Sequence, residues 1–377
     1  MNTIWYIYHS TRGCAGDYVQ ALMRSSEGAG IPCRAFVSAG YLFKTPHAVR
    51  LFFPITDRIR NRGKRLRSFR GVELAAGYGV ILLGALFARP VINIILTDSF
   101  WVTYAFFRLC KLLRLKAAVT CLDVIEHSGE LPPRRRKILE GADKLIVHSA
   151  AAARMLTSTV APRPGRVFLY PFPSASSRQV LQEPDWTEAL KETARLFDGK
   201  RTFLFIGYVR PDKGAETLCD AWVRLNQSEV PDTQLLIVGQ WDKECLALKE
   251  KFAGMPNVEI MDRRVSDEEF IALIRSAYYV LLPYKNYAHS GVLFTCANEA
   301  APVIISDIEL FTDLIPGYTF TFRQGDPEDL ARVMGKALRA PEEQRQQSSA
   351  RLRSLIAAIN AELPAKLKEC YSALGAG

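Results

Sequence analysis

The sequence lacks the residue patterns that mark several common protein classes. None of its eight cysteines forms a C-x-x-C pair, so neither a structural zinc site nor a dithiol redox site is indicated. No D-x-D pair is present to suggest a Mg²⁺ site, and no internal repeat indicates a solenoid. The cysteines are scattered, several within apolar runs, and we expect them to be reduced core residues of a cytosolic protein.

Targeting and membrane-spanning signals are also weak. The first residues, MNTIWYIYHS, carry no basic segment and no cleavage site, so they predict a strand rather than a signal peptide. The most apolar stretch, Leu74 to Ala88, is too short and too glycine-rich to predict a membrane span with confidence. It favours a buried or interfacial helix.

Size and charge point to a globular protein with an anionic partner. The 377 residues suffice for two domains of ordinary size, and 49% hydrophobic and 23% charged residues are typical of a globular chain. The net charge is +10 and the isoelectric point is near 9.2. This balance favours nucleic acid, an anionic membrane surface or phosphorylated substrates as partners.

The strongest local pattern is Phe203 to Leu218 (FLFIGYVRPDKGAETL). Four apolar residues run into Gly207, then Arg210 and Lys213 follow, and a helical pattern begins at Ala215. We interpret this as a buried strand, a turn carrying two cations, and a helix start. Such a helix start is an anion site. The alternative is an ordinary strand–turn–helix with solvated charges.

A second turn of the same kind lies downstream in Val280 to Asp307 (VLLPYKNYAHSGVLFTCANEAAPVIISD). The strand Val280–Leu282 ends at a proline, Ser290 and Gly291 open a helix, and a further strand covers Pro302–Ile305. A small Ser-Gly pair at a helix start lets the backbone approach a phosphate closely. Two such turns in one βαβ array indicate a diphosphate between them.

The two motifs together resemble the C-terminal domain of GT-B glycosyltransferases, especially glycosyltransferase family 4, over roughly Arg201 to Ala340. The resemblance implies an α/β fold with two Rossmann-like, doubly wound domains facing a cleft. It also implies a C-terminal helix that crosses back to the N-terminal domain. The expected segments are an acceptor-side domain at 1–173, a linker at 174–200, a nucleotide-sugar-binding domain at 201–340 and C-terminal helices at 341–377. Within the last segment Glu342 to Tyr371 predicts one or two long helices, with Pro364 as a break.

The family also implies roles for particular residues. Its first turn holds the nucleotide diphosphate, its Ser-Gly helix start takes the distal phosphate, and the nucleobase lies against the loops after the next two strands. Trp241, in the first of these loops, is a candidate to cover the base, and a core or surface position is the alternative. The expected nucleotide-sugar-binding residues are Gly207, Arg210, Lys213, Gly239, Arg263, Arg264, His289, Ser290, Gly291 and Thr295. No metal and no cofactor is expected beside the nucleotide-diphosphate sugar, which would be of the UDP or GDP type.

One feature of the family is missing. Many members carry two glutamates in the Ser-Gly region, one facing the sugar and one holding the ribose. Tyr287 and Thr295 occupy those positions here. His289 and Glu299 are the nearest polar alternatives, with Glu299 out of register. The ribose contacts and the stereochemical outcome, retaining or inverting, therefore stay open.

The first predicted strand, Ile4 to His9, leads into a glycine-bearing loop. A strand, such a loop and a helix from Tyr18 to Ser26 are typical of the start of a doubly wound domain. In GT-B enzymes the equivalent loop faces the cleft, so Gly13 and Gly16 are candidate cleft residues. The alternative is that they are plain turn glycines.

Acidic and histidine residues follow the predicted strand Ala117–Cys121. Ligands of open α/β sheets bind beyond the carboxyl ends of strands, so Asp123, Glu126 and His127 form a candidate catalytic cluster. The resemblance implies that His127 contacts the donor sugar, although Leu122 and Asp123 stand where relatives often have His-Asn. In an inverting reaction Asp123 or Glu126 could act as general base.

A dense basic run covers Arg58 to Arg70, where seven of thirteen residues are Lys or Arg. The run fits docking to anionic lipid, a solvated helix face or nucleic-acid binding, and no recognition signature accompanies the last of these. The residues expected to meet the membrane are Arg60, Arg62, Lys64, Arg65 and Arg67.

The sequence thus predicts a metal-independent glycosyltransferase that moves a sugar from a nucleotide-diphosphate sugar to a saccharide or lipid-linked acceptor. Bacterial surface-polysaccharide synthesis, including lipopolysaccharide, at the inner face of the cell membrane would fit a basic cytosolic-face protein. The alternatives are a nucleotide-sugar epimerase of the same fold, a glycosyltransferase-like partner without activity, and a nucleic-acid-binding protein.

Overall fold

The computed structural model describes residues 2–9, 15–39, 47–52, 67–97, 101–122, 131–173, 191, 193, 195–197, 199–225, 232–285 and 290–375. These residues form two compact units. Unit 1 comprises Met1–Pro173 together with Ile359–Gly377, and unit 2 comprises Ser174–Ala358. The predicted linker at 174–200 thus falls within unit 2, although most of it lies outside the described residues.

Unit 1 is built on a seven-stranded parallel sheet in the order β3-β2-β1-β4-β5-β6-β7. Its central strands are buried throughout and rich in β-branched and aromatic residues, as expected of strands covered on both faces. The strands are β1 Ile4–Tyr8, β2 Cys33–Ser38, β3 Ala48–Phe52, β4 Val91–Leu96, β5 Ala117–Cys121, β6 Lys144–Val147 and β7 Val167–Leu169.

Helices connect these parallel strands. Their bounds are α1 Ala15–Gly28, α2 Arg67–Ala88, α3 Trp101–Leu112, α4 Pro133–Gly141 and α5 Ala150–Val160. The Ser149 hydroxyl caps the last of these by accepting a hydrogen bond from the N–H of Ala152.

Unit 2 has a six-stranded parallel sheet in the order β10-β9-β8-β11-β12-β13. Its strands are β8 Arg201–Ile206, β9 Thr233–Val238, β10 Val258–Met261, β11 Tyr279–Leu282, β12 Val303–Ser306 and β13 Thr321–Phe322. Its helices are α6 Ala215–Arg224, α7 Leu246–Ala253, α8 Asp267–Ser276, α9 Gly291–Glu299, α10 Glu309–Leu314 and α11 Pro327–Arg339.

The final helix, α12 (Glu342–Gly375), runs without interruption through Pro364 and contributes residues to both units. A break at Pro364 was expected because proline cannot donate the interior helical hydrogen bond. That expectation is wrong: the buried residues Leu363 and Leu367 hold the helix in place on either side of the proline.

The expectation of two doubly wound, Rossmann-like α/β sheets is confirmed. In each sheet the chain builds outward from a central strand and then crosses to its other side. The crossing point lies between β1 and β4 in unit 1 and between β8 and β11 in unit 2. Ligands of open α/β sheets bind beyond the carboxyl ends of the strands at such a point. Both anion-directed turns of the sequence follow β8 and β11.

The cysteines are thiols wherever the structure describes them, and most are buried. Burial raises the pKa of the Cys110, Cys121 and Cys370 thiols to about 12 in each case. A thiol with so high a pKa carries almost no thiolate at neutral pH. These residues are packing groups.

Candidate nucleotide-binding site

The turn after β8 forms as a short 3₁₀ segment, Pro211–Lys213, followed directly by α6. Proline at the first position suits this start because its fixed φ matches a helix and its missing N–H would be unsatisfied there. Gly214 then adopts φ +72° and serves as the cap of α6.

Gly214 is where the two turns meet. A Cβ atom at this position would lie 1.7 Å from the carbonyl oxygen of Pro283, the residue that follows β11. Only glycine permits that approach together with a positive φ. The backbone N–H of Lys285 also donates to the carbonyl oxygen of Asp212 at 2.9 Å. The loops that follow β8 and β11, which we call the joined turns, are therefore in direct contact at the crossing point of the sheet.

Arg210 is held by a neighbour within its own turn. Its Nε and Nη2 donate to the two carboxylate oxygens of Asp212 at 3.0 and 2.9 Å. The side chain of Arg210 is only 12% exposed, and its guanidinium lies 6.0 Å from the ring centre of Tyr208. A bidentate pair of this kind fixes the plane and direction of the guanidinium.

Lys213 lies over an aromatic ring supplied by the other turn. Its Nζ is 3.7 Å from the ring centre of Tyr284, which is buried. The Ser306 hydroxyl donates to the carbonyl oxygen of Tyr284 at 2.7 Å and anchors that residue from β12. The ring face attracts the ammonium, so this contact holds the charge of Lys213 in one place.

The side chain of Lys285 adds a further link between the turns. Its Nζ donates to Glu216 Oε2 in the first turn of α6 at 3.0 Å. This hydrogen bond lowers the pKa of the Glu216 carboxyl below its ordinary value. Glu216 is highly exposed, so this ion pair contributes little to the free energy of unfolding.

The first turn of helix α9 lies beside the loop that follows β8. The Ser290 hydroxyl accepts a hydrogen bond from the N–H of Leu293 at 3.2 Å and caps the helix. Val292, in its first turn, is 3.9 Å from where a Cβ of Gly207 would lie. The positive end of the α9 dipole therefore lies beside the loop that carries Arg210 and Lys213.

Thr295 follows on the same helix, but its hydroxyl donates back to the carbonyl oxygen of Gly291 at 3.0 Å. This is a local helical bond. Its neighbour in the expectation, His289, lies outside the described residues, as does Tyr287.

Gly239 follows β9 and has φ +142°. A Cβ there would lie 1.8 Å from the carbonyl oxygen of Gly207, so packing between the β8 and β9 loops accounts for glycine at this position. Next to it, Trp241 is buried and its ring centre lies 6.1 Å from that of Phe252. Of the two expectations for this tryptophan, the structure supports a core position.

Arg263 follows β10, two strands away from β8. Its guanidinium donates to both carboxylate oxygens of Glu269, at 2.5 and 3.0 Å, and this hydrogen bonding lowers the pKa of Glu269. Glu269 also forms a capping box at the start of α8 with Ser266. Arg264 adjoins this group and is exposed. The two arginines thus follow the edge strand β10, whereas the joined turns follow β8 and β11.

Glu299 is committed elsewhere. Its side chain is 3% exposed and forms an ion pair with Arg275 of α8. This carboxylate joins α8 to α9, which gives it a structural role. Glu299 is out of register with the glutamate that holds the ribose in the family. Its ion pair with Arg275 accounts for an acidic residue at this position.

Several predicted residues lie outside the described part of the chain or have no described side chain. They comprise Asp123, Glu126, His127, His289, Gly13, Gly16, Arg60, Arg62, Lys64, Arg65 and Arg67. Among the residues that the structure does describe, no group of three or more His, Cys, Asp or Glu side chains is arranged to hold a metal ion.

Three residues of the joined turns were missed by sequence reasoning. Asp212 could have been found, because an acid two positions from an arginine in a turn can pair with it. Tyr284 and Lys285 carry no comparable local signal, since their partners Lys213 and Glu216 lie far away in the sequence. The topology of the sheet brings them together.

Comparison with known families relates this part of the chain to glycosyltransferases. Residues 200–340 match the family described as "Glycosyl transferases group 1". A curated relative, the serotype-specific mannosyltransferase WbdA of Escherichia coli, is 24% identical over 214 residues. That alignment covers 52% of this chain but only 25% of WbdA, so the chain spans about a quarter of this relative's length.

Solved structures share the fold over nearly the whole chain. Sucrose-phosphate synthase from Thermosynechococcus elongatus has a TM-score of 0.68 at 19% identity, covering 99% of this chain and 100% of that one. HepE of Anabaena, solved with UDP and glucose, has a TM-score of 0.70 at 12% identity, with 99% and 100% covered. Trehalose-6-phosphate synthase OtsA has a TM-score of 0.69 at 10% identity, with 99% of each chain covered.

Proposed function

We propose that this chain, a glycosyltransferase of the group 1 family with the GT-B fold, transfers a sugar from a nucleotide-diphosphate sugar to a saccharide acceptor. The observation that carries the proposal is the junction of the two turns at the β8/β11 crossing point. There, two positioned cations and the N-terminus of α9 lie close together. Charge that develops on a departing diphosphate is stabilised by such a group without a metal ion.

The donor is a nucleotide sugar of the UDP or GDP class. HepE binds UDP and UDP-glucose, and WbdA is a mannosyltransferase, so relatives support this class but not one sugar. A thermal-shift panel of UDP-, GDP- and dTDP-sugars tests it, because a ligand of the folded state raises the melting temperature. We expect at least one to stabilise the wild type and not the R210A/K213A variant. Equal behaviour of both proteins toward every nucleotide would contradict the proposal.

Transfer itself is tested by release of nucleoside diphosphate with and without acceptor. An enzyme of this class should release it faster when a suitable acceptor is present. A protein that binds nucleotide sugar but neither hydrolyses nor transfers it would be the inactive partner. One that instead changes the sugar's configuration would be an epimerase of the same fold.

We assign the sugar-facing role to His127, with Asp123 or Glu126 as general base if the reaction inverts. The assignment rests on the sequence motif after β5, which lies outside the described residues. H127A should lower turnover and leave nucleotide affinity nearly intact, because the diphosphate turns belong to unit 2. Loss of nucleotide binding with unchanged turnover would contradict it.

We further propose a lipid-linked acceptor in bacterial surface-polysaccharide assembly and a peripheral location on the inner face of the cell membrane. Seven basic residues in Arg58–Arg70 support this, since each adds on the order of 1 kcal/mol near an anionic surface. Replacing Arg60, Arg62, Lys64, Arg65 and Arg67 with serine should abolish sedimentation with anionic vesicles at low salt. Activity on a short water-soluble acceptor should survive.

A further inference from the structure

An exposed apolar surface covers two neighbouring helices of unit 1, α2 and α3, which pack against each other. We call it the apolar face. It consists of Val72, Val80, Leu83, Leu86 and Phe87 on α2 with Trp101, Leu109 and Leu112 on α3. In the described part of the chain, these are eight of the twelve large hydrophobic side chains that are highly exposed. Single exposed apolar residues are ordinary, whereas a group of this size on two adjacent helices is not.

The face is continuous along α2. At about 100° per residue, its exposed members and the exposed alanines Ala75 and Ala76 fall within an arc of about 140°. No charged residue of the segment 71–88 falls in that arc. The opposite side of the helix packs on the sheet, where Gly77 lies against Phe52 and Gly84 against Trp5. Helix α2 therefore presents one apolar side to the sheet and another to the outside.

The helix meets the length and hydropathy of a membrane span over Gly71–Ala88, with a mean hydropathy of 1.8, yet one third of that window is buried. It also links two strands of the same parallel sheet, β3 and β4. A helix fixed in this way can offer only its outer side to a bilayer. Its outer side has the composition of an interfacial helix.

Basic residues accompany the apolar face. Arg108 is exposed on α3, and Arg89, Arg114 and Lys116 are exposed just beyond the ends of the two helices. The Arg89 guanidinium donates to the carbonyl oxygen of Leu113 at 2.9 Å, which ties the two helix ends together. Over residues 67–116 the sequence has seven Lys or Arg and two Asp or Glu. An apolar surface with an excess of cations is complementary to an anionic bilayer.

We propose that the apolar face inserts into the interface of an anionic lipid bilayer, with Leu83 and Phe87 as its central contacts. Phe87 is 88% exposed and Leu112 is 76% exposed, so both are fully available to acyl chains. The proposal rests on the proposed peripheral location but not on sugar transfer. A second copy of the chain is the competing occupant.

The test is sedimentation of the full chain with vesicles of phosphatidylcholine and phosphatidylglycerol, and with phosphatidylcholine alone. We expect the L83E/F87E variant to bind the anionic vesicles at least about tenfold more weakly than wild type. The matched control is V223E/L246E, which places the same charges at exposed apolar positions of unit 2 and should bind like wild type. All four positions are exposed, so the melting temperatures should stay close.

Quenching of Trp101 gives a second readout. The measurement uses a W186F background, because Trp186 lies outside the described residues. In that background brominated lipid in the vesicles should quench part of the fluorescence, and adding W101F should remove the quenching, because Trp5, Trp222 and Trp241 are buried. Vesicle binding by L83E/F87E at wild-type strength would overturn the proposal. Vesicle binding could instead be lost only when Arg60, Arg62, Lys64, Arg65 and Arg67 are replaced with serine. The basic run would then account for the membrane location without the apolar face. A wild-type dimer that L83E/F87E dissociates, with no lipid binding in either protein, would identify a second copy as the occupant.

Discussion

Lys213 is the residue on which the proposed donor site depends most directly. K213A should weaken binding of the nucleoside diphosphate and lower activity by at least about tenfold, because losing a hydrogen bond to a charged group costs roughly 1.5–3 kcal/mol. Calorimetric titration measures the affinity. K336A is the matched control, since Lys336 also lies over an aromatic ring, that of Phe320 at 5.9 Å, but on α11. Wild-type affinity in K213A would remove the main support for the site.

Tyr284 supplies the ring beneath Lys213, so its face should matter and its hydroxyl should matter little. Y284L removes the aromatic face and is expected to lower nucleotide affinity by roughly threefold to thirtyfold, since cation–π contacts contribute about 0.5–2 kcal/mol. Y284F keeps the ring and should bind like wild type. The same loss of affinity in both variants would show that the ring face is not what positions Lys213.

The sequence predicts the charged residues of this site better than it predicts their partners. Arg210 and Lys213 stand out because two cations follow a buried strand within one turn. The contact between Lys213 and Tyr284 joins loops that are distant in the chain, so no local pattern signals it. Gly239 was expected at the ligand, yet its conformation is already required by the carbonyl oxygen of Gly207. A glycine in a loop thus indicates that another group lies close to the backbone. It does not indicate whether that group is a ligand or another part of the chain.

Helices α8 and α9 are joined by a buried ion pair between Arg275 and Glu299. E299A should lower the free energy of unfolding by roughly 3 kcal/mol, because it leaves a partly buried guanidinium without its carboxylate. R275L/E299L removes both charges and should recover much of that loss. Urea unfolding measures the stability. Both variants should bind nucleotide normally if Glu299 is structural, and a selective loss of affinity in R275L/E299L would point to a ribose contact instead.

Two helix starts in unit 2 depend on ionised carboxylates. Hydrogen bonds from Arg263 lower the pKa of Glu269 at α8 below its ordinary 4.5. At α11, burial raises the pKa of Asp329, but hydrogen bonds from the Arg323 N–H and from Arg332 outweigh it and leave the pKa below 3.8.

A folded-state pKa below the unfolded value stabilises the protein above the unfolded pKa, and this stability is lost as the pH falls through the folded pKa. The urea midpoint should therefore start to fall as the pH drops below 4.5, and should fall further below pH 3.8. E269Q/D329N should be less stable at neutral pH and show a flatter profile. A wild-type midpoint that is constant over this range would contradict the assignment.

Strands and helices differ in how far the sequence predicts them. Central strands such as β5, Ala117–Cys121, have the predicted bounds because they are continuous apolar runs. The edge strand β3 was missed because its residues are only partly buried and lack a clear alternation, and β13 has two residues. The exposure of one side of α2 could not be predicted from the sequence. An apolar helix has the same composition whether the protein covers both of its sides or only one. Its exposure follows from the position of the helix on the sheet.

The chain's last segment completes the unit in which the chain begins. From Ile359 onward, α12 belongs to unit 1, where the Tyr371 hydroxyl accepts a hydrogen bond from the Asn93 amide at 2.6 Å. Asn93 in turn accepts a hydrogen bond from the Thr120 hydroxyl at 3.0 Å. Tyr371 and Asn93 are buried, and the ring of Tyr371 lies 6.1 Å from that of Tyr6. These hydrogen bonds and this ring contact therefore connect strands β1, β4 and β5 to helix α12.

Y371A should consequently destabilise unit 1, because the Tyr371 ring and hydroxyl lie in the core of that unit. Removing a buried aromatic side chain costs about 3–5 kcal/mol, and Asn93 loses an acceptor as well. Y371F keeps the ring and should cost only about 1–3 kcal/mol, the penalty of leaving one buried donor unsatisfied. Scanning calorimetry measures both losses. Nucleotide affinity below the unfolding temperature should stay at the wild-type value in each variant, because the joined turns belong to unit 2. A variant that keeps wild-type stability but loses nucleotide affinity would mean that the helix end serves the donor site and not the core of unit 1.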